Sequence, residues 1–211
     1  MMTQEREKLR KIAIVLLSIV LILAAVGGHY ALDPWGFYWK ISPEETALRL
    51  GMVEQAESWL GSRESDGSHL PILEIYNRHE PLAVGYTVQP EDSWCATFVS
   101  TVAIQKGCTS ILPTECSCGR QIELFRSLGR WEERDNAIPL PGDLIYYDWD
   151  MTERGECQGW PDHVGLVVGT KWPFVKVIEG NKDDSVSYRV ILLNDKTIRG
   201  FGKPDYAALI P

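Results

Sequence analysis

The chain of 211 residues predicts an α+β domain preceded by one N-terminal apolar helix. Three observations predict it. Apolar residues recur at helical spacing between Ser42 and Leu128. Runs of β-branched and aromatic residues separated by turn residues take over from Leu144 to Tyr206. A basic start runs into a stretch without charge from Ile12 to Leu32. Helices first and strands afterwards is the order expected when N-terminal helices pack on a C-terminal antiparallel sheet.

Residues 1–11 carry Arg6, Lys8, Arg10 and Lys11 against Glu5 and Glu7, a cationic flank of net +2. The apolar run 12–32 then reads as a transmembrane signal anchor, since a membrane helix needs roughly 17–25 residues. No A-x-A cleavage pattern follows the run, and Trp35, Phe37, Tyr38, Trp39 and Lys40 stand where an interfacial belt would sit. Removal of the segment as a cleaved signal, giving a secreted protein, is the alternative. Positive-inside orientation makes 1–11 cytoplasmic and puts the rest outside the cytoplasm, with 33–44 as a juxtamembrane linker and 45–211 as the functional domain.

Ser42-Pro43-Glu44-Glu45 reads as a helix start: Ser42 caps, Pro43 fits the first turn, and Glu45 completes an S-x-x-E capping box. Leu48, Met52, Ala56, Trp59 and Leu60 continue at helical spacing, and Gly61 stops the helix. A second short helix is expected around Pro71–Arg78. A third follows Asp92 or Ser93 as cap, with Phe98, Val99, Val102 and Ala103 as its buried stripe and Gly107 as its end. A cysteine-bearing loop leads to Gly119, and Gln121–Leu128 reads as a short helix. The strand expectations are Leu144–Asp148 after the Pro141-Gly142-Asp143 turn, His163–Val168, Val175–Glu179, Ser185–Leu192 and Thr197–Tyr206.

The net charge is −8, so everything after residue 11 carries −10. An acidic body argues against nucleic-acid binding, which needs a basic face. The chain has five cysteines. With Cys95 set aside, Cys108, Cys116, Cys118 and Cys157 are an even set that could form disulfides outside the cytoplasm or remain free thiols. Zinc binding is disfavoured because no C-x-x-C pair is present.

The chemistry-bearing residues fall in a particular order. Cys95 lies at a helix start, where unpaired N–H groups and the helix dipole favour a thiolate. His163 alone among the four histidines opens an apolar strand. Pairing His163–Val168 with Val175–Glu179 antiparallel permits two same-face registers. One leaves a loop of about three residues and sets His163 opposite Glu179; the other leaves about five and sets it opposite Asn181. Either brings a polar group beside the imidazole, the third part of a nucleophile–base–orienter site.

The segments Ser93-Trp-Cys-Ala-Thr-Phe-Val99, Pro141-Gly-Asp-Leu-Ile145, Asp162-His-Val-Gly-Leu166 and Val177-Ile-Glu-Gly-Asn181 carry a family likeness. Over roughly residues 45–207 the chain resembles the CHAP family of cysteine- and histidine-dependent amidohydrolases and peptidases. The resemblance implies a papain-like fold, Cys95 as nucleophile, His163 as general base, Glu179 as the residue orienting the ring and Asn181 as a further polar member. It implies an oxyanion site at the Cys95 N–H, with Gln89 as a suggested second donor. The implied substrate is the peptide part of peptidoglycan, cut without cofactor or metal by a monomer held to the membrane by its N-terminal helix. The acidic stretch 148–156 lacks the D-x-D-x-D-G calcium pattern and reads as a solvated loop. A non-catalytic wall-binding or assembly module on the same fold is the alternative function.

Overall fold

The computed structural model describes residues 41–134, 137–149 and 160–211. The expected anchor over 12–32, most of the 33–44 linker, Cys157 and most of the acidic stretch lie outside them. Among the described residues no helix is long and apolar enough to cross a membrane. Ser42–Pro211 forms a compact unit. Its described residues are α+β, as expected, with four α-helices and a six-stranded antiparallel sheet.

The first helix, α1 (Pro43–Glu57), begins where the capping pattern puts it: Ser42 Oγ accepts the Glu45 N–H at 3.0 Å. The box is only half formed, because the Glu45 carboxylate turns to Arg49 Nε at 2.8 Å. Arg49 in turn reaches Asp143 Oδ1 at 2.8 Å and the Pro141 carbonyl at 3.1 Å. Asp143 also accepts the Leu140 N–H at 2.9 Å, so the Pro141-Gly142-Asp143 turn is a structural clamp between α1 and the sheet. Burial raises the Asp143 pKa and Arg49 opposes that rise, the balance expected of a carboxylate that must stay paired to stay charged.

The second helix, α2 (Leu70–Asn77), sits where expected. The third, α3 (Cys95–Gln105), is buried all round from Cys95 to Ala103. Its apolar stripe meets Leu144, Tyr146, Val164, Leu166 and Ile178 in one core. Two of the hydroxyls on its other faces find carbonyl partners, Ser100 at Glu115 at 2.8 Å and Thr101 at Ile72 at 2.9 Å, while the buried Thr97 hydroxyl has none among the described residues. Its cap differs from the expectation. Trp94 occupies the N-cap without a side-chain bond, while Asp92 accepts from the Gln89 N–H at 2.7 Å and from Tyr86 Oη at 2.8 Å. The fourth helix, α4 (Cys118–Ser127), starts three residues before the predicted Gln121, so Cys118 is helical rather than part of the loop.

The strands are β1 (Trp131–Glu133), β2 (Leu144–Tyr147), β3 (His163–Lys171), β4 (Phe174–Lys182), β5 (Ser185–Leu192) and β6 (Ile198–Gly202). Their order is β1-β6-β2-β3-β4-β5. The sequence patterning missed β1, which is three residues long and half exposed. It also carried the last strand too far, since Tyr206–Leu209 is a 3-10 turn. Alternation divides the side chains. Leu144, Tyr146, Val164, Leu166 and Ile178 join the core that contains α3, whereas Ile145, Tyr147, Val167, Val175 and Val177 form a second apolar layer with Ile198 and Phe201.

The β3–β4 hairpin departs from both counted loop lengths. Lys171 pairs with Phe174, leaving only Trp172-Pro173 between the strands. An irregularity between Val167 and Gly169 then inserts one residue and shifts the register. Beyond it Leu166 faces Ile178, the last paired residues of the two strands, and the same count carried on sets Gly165 toward Glu179 and His163 toward Asn181. A bulge is invisible to counting that assumes an unbroken period of two.

Candidate active site

Cys95 is the first residue of α3 and is 5 % exposed. A helix start leaves its leading N–H groups without intrahelical partners, and Trp94 supplies no side-chain cap to occupy them. Three contacts hold the preceding turn. Trp94 Nε1 donates to Glu64 Oε1 at 2.9 Å. With its amide turned accordingly, Asn181 donates to the same Glu64 oxygen and accepts the Trp94 N–H, each at 3.2 Å. Asn181 has φ 57°, which aims its amide at the start of α3. Asn181 thus braces the residue before Cys95 and does not orient the imidazole. Gly180 lets β4 come this near, because a Cβ there would fall on Phe98 and Trp94.

His163 takes its hydrogen bond from a diagonal neighbour. Counting on from the Leu166–Ile178 pair sets Asn181 across from it, yet its Nε2 lies 3.2 Å from Glu179 Oε2. The residue directly opposite Glu179 is Gly165, which has no side chain to block that reach. A Cβ on Gly165 would stand 2.5 Å from Val177 Cγ1 and 2.7 Å from Glu179 Cγ. Gly165→Ala is therefore expected to cost about 1–3 kcal/mol of stability through overpacking and to push Glu179 away from the ring. Thermal melts of the variant and the pH dependence of its thiol reactivity check this; a variant matching the parent in both would refute it.

Glu179 is fully buried and bound twice more, to Arg189 Nε through Oε1 at 2.7 Å and Oε2 at 3.0 Å. Arg189 lies over the rings of Tyr147 and Trp149, which stack on each other at 4.9 Å, and Tyr147 lies 6.0 Å from His163. A guanidinium, a carboxylate and an imidazole thus form a chain backed by aromatic faces. Burial alone would raise the Glu179 pKa, but bonds to His163 and Arg189 bring it below the ordinary carboxylate value.

The thiol and the imidazole shift each other in opposite directions. Cys95 is held well below the ordinary thiol value, first by a hydrogen bond from the Cys118 thiol and then, against burial, by His163 and the Val164 backbone. Burial pulls His163 down, but Cys95 and Glu179 outweigh it and push the imidazole up to about 9. With Nε2 engaged by Glu179, Nδ1 is the nitrogen left to serve the thiol. A thiolate–imidazolium pair is the form these shifts favour at neutral pH.

Gln89 does not join the group. Its side-chain amide donates to the Thr87 carbonyl at 2.7 Å on an exposed segment. Cys118, one of the four cysteines set apart from Cys95 in the sequence, lies with its Sγ 3.6 Å from Cys95 Sγ. Cys95, Cys108, Cys116 and Cys118 are all free thiols. A cavity of about 890 Å³ adjoins the Trp94 brace, lined by Arg63, Glu64, Ser65, Asp183, Ser187 and Tyr188 among others. Sequence reasoning missed Arg189, Glu64, Gly165 and the position of Cys118. Only Arg189 had a signal: counting back across the Asp183-Asp184 turn, whose residues both have positive φ, places it beside β4.

No family model matches the chain, and no curated protein matches it. One solved structure, the crystal structure of an NlpC/P60 family protein from Bacillus cereus, is 22% identical over 52% of this chain with a TM-score of 0.36. This chain spans 31% of that one.

Proposed function

We propose that the chain is a cysteine hydrolase that cuts amide or peptide bonds in the peptide part of peptidoglycan, on a papain-like domain of the CHAP kind. The observation that carries the reaction type is a thiol at an uncapped helix start coupled to an imidazole that a buried carboxylate holds. The substrate rests on the motif resemblance together with the extracytoplasmic placement expected from residues 1–40.

In the proposed reaction the Cys95 thiolate adds to the scissile carbonyl, and the leading N–H groups of α3 receive the developing oxyanion. His163 gives its proton to the leaving amine as the C–N bond breaks, leaving a thioester. Neutral His163 then takes a proton from water as the hydroxyl adds to that thioester, and the carboxylic acid departs as the thiol is restored. Glu179 keeps the ring in one orientation through both proton transfers. Asn181 and Glu64 keep the helix start in place. The enzyme acts as a monomer at the membrane surface, held by its N-terminal segment.

Purified cell wall incubated with the protein is expected to release fragments whose new termini, read by mass spectrometry, identify the bond cut. Cys95→Ala should lower the release by at least about 10³-fold, and EDTA should leave it unchanged. Undiminished release by Cys95→Ala would overturn the reaction type. Intact wall after incubation with a protein whose Cys95 is demonstrably reactive would overturn the substrate assignment.

A further inference from the structure

Cys118 takes no bond-making or proton-transfer step in the proposed hydrolysis beyond its hydrogen bond to the nucleophile, and its sulfur lies 3.6 Å from that of Cys95. We propose that Cys95 and Cys118 form a dithiol that a low-molecular-weight disulfide oxidises reversibly, closing the nucleophile in an internal disulfide.

The placement is specific to this pair. Each cysteine opens its own helix, Cys95 on α3 and Cys118 on α4, and both are buried, at 5 % and 7 % exposure. A disulfide needs its sulfurs at about 2.05 Å, so the closing movement is about 1.5 Å, within the reach of side-chain rotation. The other described thiols face elsewhere. Cys108 donates to the Lys106 carbonyl at 3.5 Å, and Cys116 lies 3.7 Å from Glu115 Oε1.

The chemistry balances with one named co-reactant. The Cys95 thiolate attacks one sulfur of the small disulfide, forming a mixed disulfide and expelling a thiolate that takes the proton held on His163. Cys118 then attacks Cys95 Sγ. The second small thiolate leaves and takes the Cys118 proton. Two protein thiols are oxidised, and one disulfide is reduced to two thiols. The lowered pKa of Cys95 makes it the attacking sulfur, and the raised pKa of Cys118 keeps it protonated until the second step.

The oxidation stands apart from hydrolysis; only its effect on activity rests on the proposed function. The full chain, reduced and then held with oxidised glutathione, should lose two hydrogens and yield a tryptic cross-link between the Cys95 peptide and residues 107–120. That second peptide also holds Cys108 and Cys116, and fragmentation assigns the bond to Cys118. Cys118→Ser should give no such link and should accumulate glutathione on Cys95. Should that variant not fold, Cys118→Ala serves, with Cys116→Ser as a parent-like control that still forms the link. Wall hydrolysis by the oxidised parent should fall at least about tenfold and return with dithiothreitol. Absence of the link, a link to Cys108 or Cys116, or equal glutathionylation of parent and Cys118→Ser would overturn the proposal. A link formed by a protein that never hydrolyses wall would uphold this proposal and overturn the substrate assignment alone.

Discussion

At pH 7, His163→Ala is expected to slow alkylation of Cys95 by iodoacetamide by about 10- to 100-fold and to reduce hydrolysis by about 10³-fold or more. The two magnitudes have different origins. Without the imidazolium the Cys95 thiol moves up from its lowered value toward the ordinary 9.0, where only about 1% is thiolate at pH 7, although the Cys118 hydrogen bond, the first cause of the lowering, remains to oppose burial. The higher nucleophilicity of a more basic thiolate offsets part of that loss, hence the range. Hydrolysis loses more because the leaving amine also loses its proton donor. The sign of the pH profile follows from the parent. Cys95 ionises well below 9.0 and His163 holds its proton up to about 9. Hydrolysis should therefore persist from the lowered thiol pKa up to about pH 9 and fall above it, as the imidazolium loses the proton the amine needs. In Glu179→Gln the imidazolium loses its buried counter-charge, so the alkaline limb should move to lower pH. A limb that stays near 9 in that variant would show that Glu179 does not set the ring's charge.

The largest expected loss of stability comes from Arg49→Met. Arg49 is 6 % exposed and Asp143 is fully buried, so the substitution leaves a charged carboxylate answered only by the Leu140 N–H at 2.9 Å and by Lys203 Nζ at 3.7 Å. Breaking a buried pair by removing one partner costs about 3–5 kcal/mol, which in a domain of this size lowers the melting temperature by roughly 10 °C. The deficit should depend on pH in a defined direction. Burial already raises the folded-state Asp143 pKa, and loss of Arg49 raises it further. A group whose folded pKa is raised is destabilising once pH exceeds its unfolded value. The variant should therefore approach the parent as pH falls and Asp143 takes up a proton. Adding Asp143→Asn to Arg49→Met should recover part of the loss at pH 7. Melts that show the same deficit from acid to neutral pH would place the role of Arg49 in packing instead.

Much of the architecture was legible because it rests on local signals. The start of α1 was written in Ser42-Pro43, and the buried stripe of α3 in the spacing of Phe98, Val99, Val102 and Ala103. The strand limits were less legible where exposure removes the alternation, as in the three residues of β1. The cap of α3 misled because Asp92 has two nearer partners in its own loop, so the helix begins on an uncapped Trp94. That misplacement bears on the site, since an uncapped start is what leaves N–H groups free beside Cys95.

The sequence by itself determined the residue types of the site and their order along the chain. It also determined that one strand face would carry a polar partner for His163, because strand alternation is a local property. Which partner that is was a tertiary decision. A single bulge past Val167 put Asn181 across from His163, and the missing side chain of Gly165 then opened the diagonal to Glu179. Asn181, equally close in sequence, was drawn to Glu64 and Trp94 by a left-handed backbone. The meeting of Cys95 with Cys118, and of Glu179 with Arg189, likewise belongs to packing alone. Helix starts and strand faces are set within a few residues of chain, whereas contacts between them depend on how whole elements dock, which no local pattern encodes.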